Sequence, residues 1–178
     1  MPWAMLSPLG FLDRLLGRHA AERTALTVNP YQVHAGGLLG IVGESYRQDE
    51  LRALSRRTTD VAQFREDLAA YAAEVADEEP DRRWFLAVLV REPNNPYDAD
   101  AVAVHAQGGG KLGYLSRDDA RRYARVFQSL EKRGFDAGAC PAMLTGGGAK
   151  SFGVVLAISA PGPVLNDLTA DERQSTSS

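Results

Sequence analysis

Between Glu92 and Asp100 the chain reads Glu92-Pro93-Asn94-Asn95-Pro96-Tyr97-Asp98-Ala99-Asp100. Two prolines, two amides, a phenol and three carboxylates therefore share one short turn. Pro93 and Pro96 fix φ at their own positions and drive Glu92 and Asn95 toward extended backbone, which holds Asn95, Tyr97 and Asp98 in a nearly constant relation. An aromatic face beside a carboxylate on a stiff turn suits recognition of something flat that also carries a hydroxyl. A tyrosine ring offers a surface for an unstacked base. An ionised carboxylate only accepts hydrogen bonds, so it welcomes a hydroxyl and repels a phosphate. Asp98 has an equally ordinary use in capping its own turn, and Tyr97 reads equally well as an exposed turn aromatic.

Other chemistries find less support. Asp98 and Asp100 stand at alternate positions, but acids near a turn are common, and no pair of carboxylates stands out as general acid and base. Gly146-Gly147-Gly148-Ala149-Lys150-Ser151 has the look of a phosphate loop, yet Ala149 occupies the place of the required glycine and a β-type run follows where a helix is needed. It is read as a hairpin tip. His19, His34 and His105 have no ligand spacing with each other or with Cys140. Cys140 lies in an expected strand and reads as a small core residue rather than a nucleophile. The chain is accordingly expected to be no enzyme, with neither cofactor nor metal.

The elements that must hold the turn are legible on both sides of it. Trp84 to Val90 is almost continuously apolar, as in a strand buried on both faces, and Ala101 to His105 leaves the turn as a second strand. Gly108-Gly109-Gly110 makes a hairpin tip, and Lys111 to Leu115 returns. Ser116 supplies an N-cap hydroxyl and Asp118 and Asp119 suit the first turn of a helix. This helix should run to about Arg133 and end at Gly134, with Tyr123, Val126, Phe127 and Leu130 inward. A last hairpin follows, Ala137 to Thr145 and Ser151 to Ser159. Pro161-Gly162-Pro163 is read as the end of the fold, with residues 161–178 a disordered tail.

Upstream, Leu38 to Gly43 reads as a first core strand. From Tyr46 the period becomes helical, through Leu51 and Leu54 and then Val61, Phe64, Leu68, Tyr71 and Val75, with Thr58, Thr59 and Asp60 capping a second helix. Residues 47–80 are taken as a helical insertion. Residues 1–37 hold an N-terminal helix, with Phe11, Leu12, Leu15 and Leu16 on one face, and an extended segment. That helix is expected to dock on the domain or on a second copy, giving a route to a homo-oligomer, with membrane-surface or partner binding as the alternative.

Composition bounds the answer loosely. A 178-residue chain with 44% hydrophobic residues fits one core plus appendages. A net charge of -3 argues against a general nucleic-acid coat, since non-specific affinity comes from many cations neutralising phosphates. Any DNA binding must be local. Arg121, Arg122, Arg125, Lys132 and Arg133 on the expected helix are one candidate basic face, or simply its solvated exterior. The lone cysteine and the lack of a basic apolar leader point to a cytoplasmic location with no membrane span.

The stretch Val90 to Val104, followed by Lys111-Leu112-Gly113-Tyr114-Leu115-Ser116-Arg117 and preceded by Ile41-Val42-Gly43-Glu44-Ser45-Tyr46, resembles the HIRAN domain family in its stand-alone bacterial form. The resemblance covers roughly residues 38–160. It implies a mainly β domain with helices, a small OB-like barrel of about six strands, that captures the 3′ end of single-stranded DNA. It also gathers a constellation at one barrel mouth: Tyr46, Asn95, Tyr97, Asp98, Tyr114, Arg117 and Phe152. Ser45 and Tyr114 depart from the translocase-fused members, which carry a basic residue and a histidine at these places. Tyr46 and Tyr114 read also as half-buried packing, Phe152 reads first as packing, and Arg117 reads also as a partner of Asp118, Asp119 or Glu131. The expected function is recognition of single-stranded DNA 3′-hydroxyl ends in DNA repair or processing, beside a helicase or nuclease. The alternative is a protein-interaction or assembly module that uses the barrel without DNA.

Overall fold

The computed structural model describes residues 27–57 and 83–175. The N-terminal helix expected before residue 27 and the second inserted helix expected from residue 58 lie outside them. Seven strands occupy Pro30–Gln32 (β1), Leu38–Gly40 (β2), Arg83–Arg91 (β3), Val102–Ala106 (β4), Lys111–Tyr114 (β5), Ala137–Thr145 (β6) and Gly153–Ala157 (β7). A 3-10 turn at Glu44–Arg47 leads into helix α1, Gln48–Leu54; helix α2 is Arg117–Lys132 and helix α3 is Pro161–Ser175. The fold is mainly β with helices, as expected, and the strand beyond the anticipated six is β1, which lies parallel to β6 at its edge.

The sheet runs β2-β7-β6-β3-β4-β5, antiparallel throughout that path. β3 is central, pairing β4 on one side and β6 on the other, and Phe85 to Leu89 are buried without a break. That continuous burial is why the strand carries no alternation in its sequence. The two edges of the path meet: Val42, just beyond β2, and Tyr114 of β5 exchange both backbone hydrogen bonds, at 2.8 and 2.9 Å. This bridge curls the sheet toward a barrel. Gly113 permits it, because a Cβ there would stand 2.5 Å from the Val42 carbonyl oxygen. The expected first core strand is thus an edge, with Leu38 and Val42 exposed, Ile41 buried in the core and Leu39 partly buried against it.

Helix α2 begins where expected. Ser116 Oγ accepts the Asp119 N–H at 3.2 Å, and Tyr123, Val126, Phe127 and Leu130 are buried. Gly134, at φ 79°, ends it.

Residues 161–175 overturn the expectation of a disordered tail, for they form α3. Proline suits the first helical turn, so Pro161 and Pro163 open a helix instead of ending the fold. Val164 and Leu168, one turn apart, are fully buried in the common core. Arg133, expected on a solvated or basic helix face, turns to α3 instead: it reaches Glu172 at 2.7 Å and donates to the Leu168 carbonyl. Tyr31 of β1 donates to Asp171 at 3.1 Å, and burial together with that carboxylate pushes its phenol up to about 12. No described helix is long and apolar enough to cross a membrane.

Candidate functional site

The turn after β3 is braced by its own side chains. Glu92 donates its N–H to the Ala101 carbonyl at 2.8 Å, closing the base, and Asn95 N–H reaches the Glu92 carbonyl at 2.9 Å. Asn95 Oδ1 accepts the Tyr97 N–H at 3.0 Å, and Asp98 Oδ1 accepts the Asp100 N–H at 3.0 Å. Each is the Asx geometry in which a short side chain mimics the next turn of backbone. Between these caps, the ring of Tyr97 stands out in solvent, 87% exposed.

Five of the seven expected residues, Asn95, Tyr97, Asp98, Tyr114 and Arg117, line one open cleft of about 260 Å³. Val42, Ala101 and Leu115 complete it. The barrel-closing bridge brings Tyr114 and Val42 to the turn, and Ser116, by capping α2, sets Arg117 at the helix start. Arg117 Nε lies 3.5 Å from Asp98 Oδ2, not beside Asp118, Asp119 or Glu131. With its guanidinium 71% exposed, that pair is worth little. Asp98, 25% exposed, keeps part of its carboxylate open. Asp118 and Asp119 are taken by Arg121 and Arg122, so the candidate basic face of α2 is largely self-neutralised.

Tyr46 and Phe152 are not brought into this cleft. Tyr46 sits on the 3-10 turn after Val42, 89% exposed. Phe152 is partly buried against the core and borders a separate cleft of about 440 Å³ with Arg83, Leu144 and Gly147. Gln48 grips it through the backbone, donating to its carbonyl and accepting its N–H, both at 2.9 Å. A Cβ on Gly147 would fall 2.7 Å from the Phe152 ring, so the glycine loop lies against that ring. For Phe152 the packing role is the one observed.

Sequence reasoning passed over Glu92 and Lys111. The Glu92 carboxylate accepts from Lys111 Nζ on one oxygen, and from Asn95 Nδ2 at 3.0 Å and the Tyr114 hydroxyl at 3.1 Å on the other. Lys111 Nζ also donates to the Tyr114 oxygen at 2.9 Å and lies 4.8 Å from the ring centre. Burial pushes the Glu92 carboxyl up, but the hydrogen bonds from Lys111, Asn95 and Tyr114 outweigh it and hold the group below its usual range. Lys111 shows the mirror image: burial pulls it down, and Glu92 and Tyr114 together raise it. The signal was a glutamate at the end of an apolar strand and a lysine opening a strand two places across the same sheet. Among the described residues, no group of three or more His, Cys, Asp or Glu converges as a metal site would require. Burial raises the Cys140 thiol well above its usual range, which leaves it protonated.

Comparison with known proteins gives a relative, a solved structure and a family match. The chain is 39% identical over 44 residues to the helicase-like transcription factor of Oryctolagus cuniculus, an alignment covering 25% of this chain and 4% of that protein. A solved structure of a protein from Lactobacillus plantarum is 21% identical, with a TM-score of 0.40, covering 70% of this chain and 91% of the other. The family model for the HIRAN domain matches residues 87–137, from the middle of β3 to the first residue of β6, a span that includes the proline turn, β5 and Arg117. The matched segment is thus similar to the HIRAN domain and carries every residue of the cleft lining except Val42.

Proposed function

We propose that this chain is a non-enzymatic module that recognises single-stranded DNA ends bearing a free 3′-hydroxyl, acting in the cytoplasm and directing a repair or processing partner, such as a helicase or nuclease, to them. The observation that carries the reading is the cleft beside the proline turn, where two tyrosines, an acceptor-only carboxylate and one guanidinium line the same space. Ring faces stack bases without demanding a sequence. Asp98 offers an acceptor to a terminal sugar hydroxyl and repels a phosphate in the same place. Arg117, at the start of α2, adds a donor fork and the positive helix end for the phosphate before the last sugar.

A fluorescence titration with otherwise identical oligonucleotides ending in a 3′-hydroxyl or a 3′-phosphate tests the proposal. The hydroxyl form should bind more tightly; equal affinities would remove the basis for the pocket.

One observation favours the second reading, an assembly surface. Leu38 and Val42, 50% and 46% exposed, precede the exposed Tyr46 along the closing edge of the barrel. Contacts made through such apolar surface hold or strengthen as salt rises, whereas phosphate-driven binding weakens, so a salt series separates the two.

A further inference from the structure

Glu92 does not line the cleft, yet the parts of the cleft hang from it. Its carboxylate holds Asn95 Nδ2 at 3.0 Å and the Tyr114 hydroxyl at 3.1 Å, while Asn95 in turn holds the Tyr97 N–H at 3.0 Å. The amide and both rings are therefore referred to a single anion on the inner side of the turn. Lys111 completes the arrangement by donating to Glu92 and, at 2.9 Å, to the Tyr114 oxygen. The Tyr114 hydroxyl has spent its proton on Glu92 and a lone pair on Lys111. What it can still offer a ligand is its ring.

We infer that Glu92 is the positioning residue of the cleft and that, with Lys111, it makes Tyr114 a stacking wall rather than a phosphate donor. The ligand side of this inference rests on the proposed DNA-end reading; the positioning side does not. The consequence is a recognised unit of one terminal nucleotide, held by stacking and by its hydroxyl, with Arg117 the one cationic side chain lining the cleft among the described residues. A wall held from two sides at hydrogen-bond distance presents its face without ordering anything on binding.

The test is Glu92→Gln in the full chain, with a 5′-fluorescein thymidine tetranucleotide bearing a free 3′-hydroxyl as probe. Binding should weaken by about tenfold, the scale of a lost hydrogen-bond set around a charged group. A purely structural role would produce some loss too, so the deciding readout is a cycle in a Tyr97→Ala, Tyr114→Ala background. If Glu92 acts by placing those two rings, adding Glu92→Gln there changes affinity by no more than about twofold; if its full loss persists, the inference is overturned. In Glu92→Gln alone the Tyr97 amide resonance should move while amides of the central strand β3 stay put. Lys111→Arg, which keeps the charge, should retain affinity. Should Glu92→Gln not fold, Lys111→Met serves: its smaller loss should vanish in a Tyr114→Phe background, and persistence there overturns the claim. If the wild-type chain does not bind the probe, the DNA-end reading fails by itself, and the Tyr97 amide still decides whether Glu92 positions the turn.

Discussion

Replacing Asp98 by asparagine changes the charge at the cleft while leaving the turn intact, because Asp98 Oδ1 accepts the Asp100 N–H at 3.0 Å and the asparagine oxygen can do the same. In the wild-type chain a 3′-phosphate seated where the hydroxyl belongs would bring a negative charge to about 4 Å from the carboxylate. Such a pair costs about 1 kcal/mol in water and about 4 kcal/mol at a typical protein-surface dielectric. Asp98 is 25% exposed and has Arg117 alongside, which places the cost in the lower half of that range, about 1–2 kcal/mol. The forfeited hydrogen bond to a charged acceptor adds about 1.5 kcal/mol. Together these amount to about 3 kcal/mol, or a preference for the hydroxyl end on the order of a hundredfold in Kd. Fluorescence anisotropy with matched 3′-hydroxyl and 3′-phosphate oligonucleotides measures it directly. Asp98→Asn should collapse the preference to within about threefold, mainly by improving the phosphate form. A variant that keeps the full preference would show that the carboxylate is not what reads the end.

Three further outcomes follow from the same geometry. Since Arg117 is the cation lining the cleft, the slope of log affinity against log salt should be shallow and should fall by about 0.7 in Arg117→Ala; an unchanged slope would move the phosphate contact elsewhere. Leu168, the fully buried anchor of α3, should cost about 2–5 kcal/mol on truncation to alanine, read by urea unfolding, and a loss below about 1 kcal/mol would mean that α3 is not docked in solution. The Glu92 carboxyl is lowered in the folded state from its usual 4.5, so its stabilising contribution is present above that pH and is lost as pH falls through the lowered value. The stability gap between wild type and Glu92→Gln should therefore be full near about pH 6 and narrow below about pH 4; a gap that widens in acid would contradict the network.

Much of the architecture could be read from the sequence because local signals and burial agreed. Trp84 to Val90, Ala137 to Thr145 and the Ser116-capped helix all carry patterns that only one arrangement buries well. The tail was misread because Pro161 and Pro163 were weighed as breakers, although proline is at home in the first turn of a helix. The spacing of Val164 and Leu168 held the contrary signal. At the site, the turn residues were legible since their chemistry is contiguous, whereas Glu92 and Lys111 meet only through β-sheet pairing across two strands. Phe152 entered the constellation through the family resemblance, whereas its own residue-level reading as barrel packing is the one observed: Gly147 lies against its ring and Gln48 fixes its backbone.

The two uses open to Asp98 in the sequence, capping its own turn and reading a ligand, are compatible because they belong to different atoms. Oδ1 is committed to the Asp100 N–H, and Oδ2 faces Arg117 across 3.5 Å, too long and too exposed to hold it firmly. An incoming hydroxyl can therefore meet Oδ2 without dismantling the turn, while Arg117 is free to follow the preceding phosphate. The first bond fixes where the second acceptor points. The same division explains how a chain of net charge -3 could engage a polyanion. On the proposed reading the attraction need not come from the whole surface: one guanidinium would meet one phosphate, the rings would supply the stacking, and the carboxylate that opposes a longer anion would select an end.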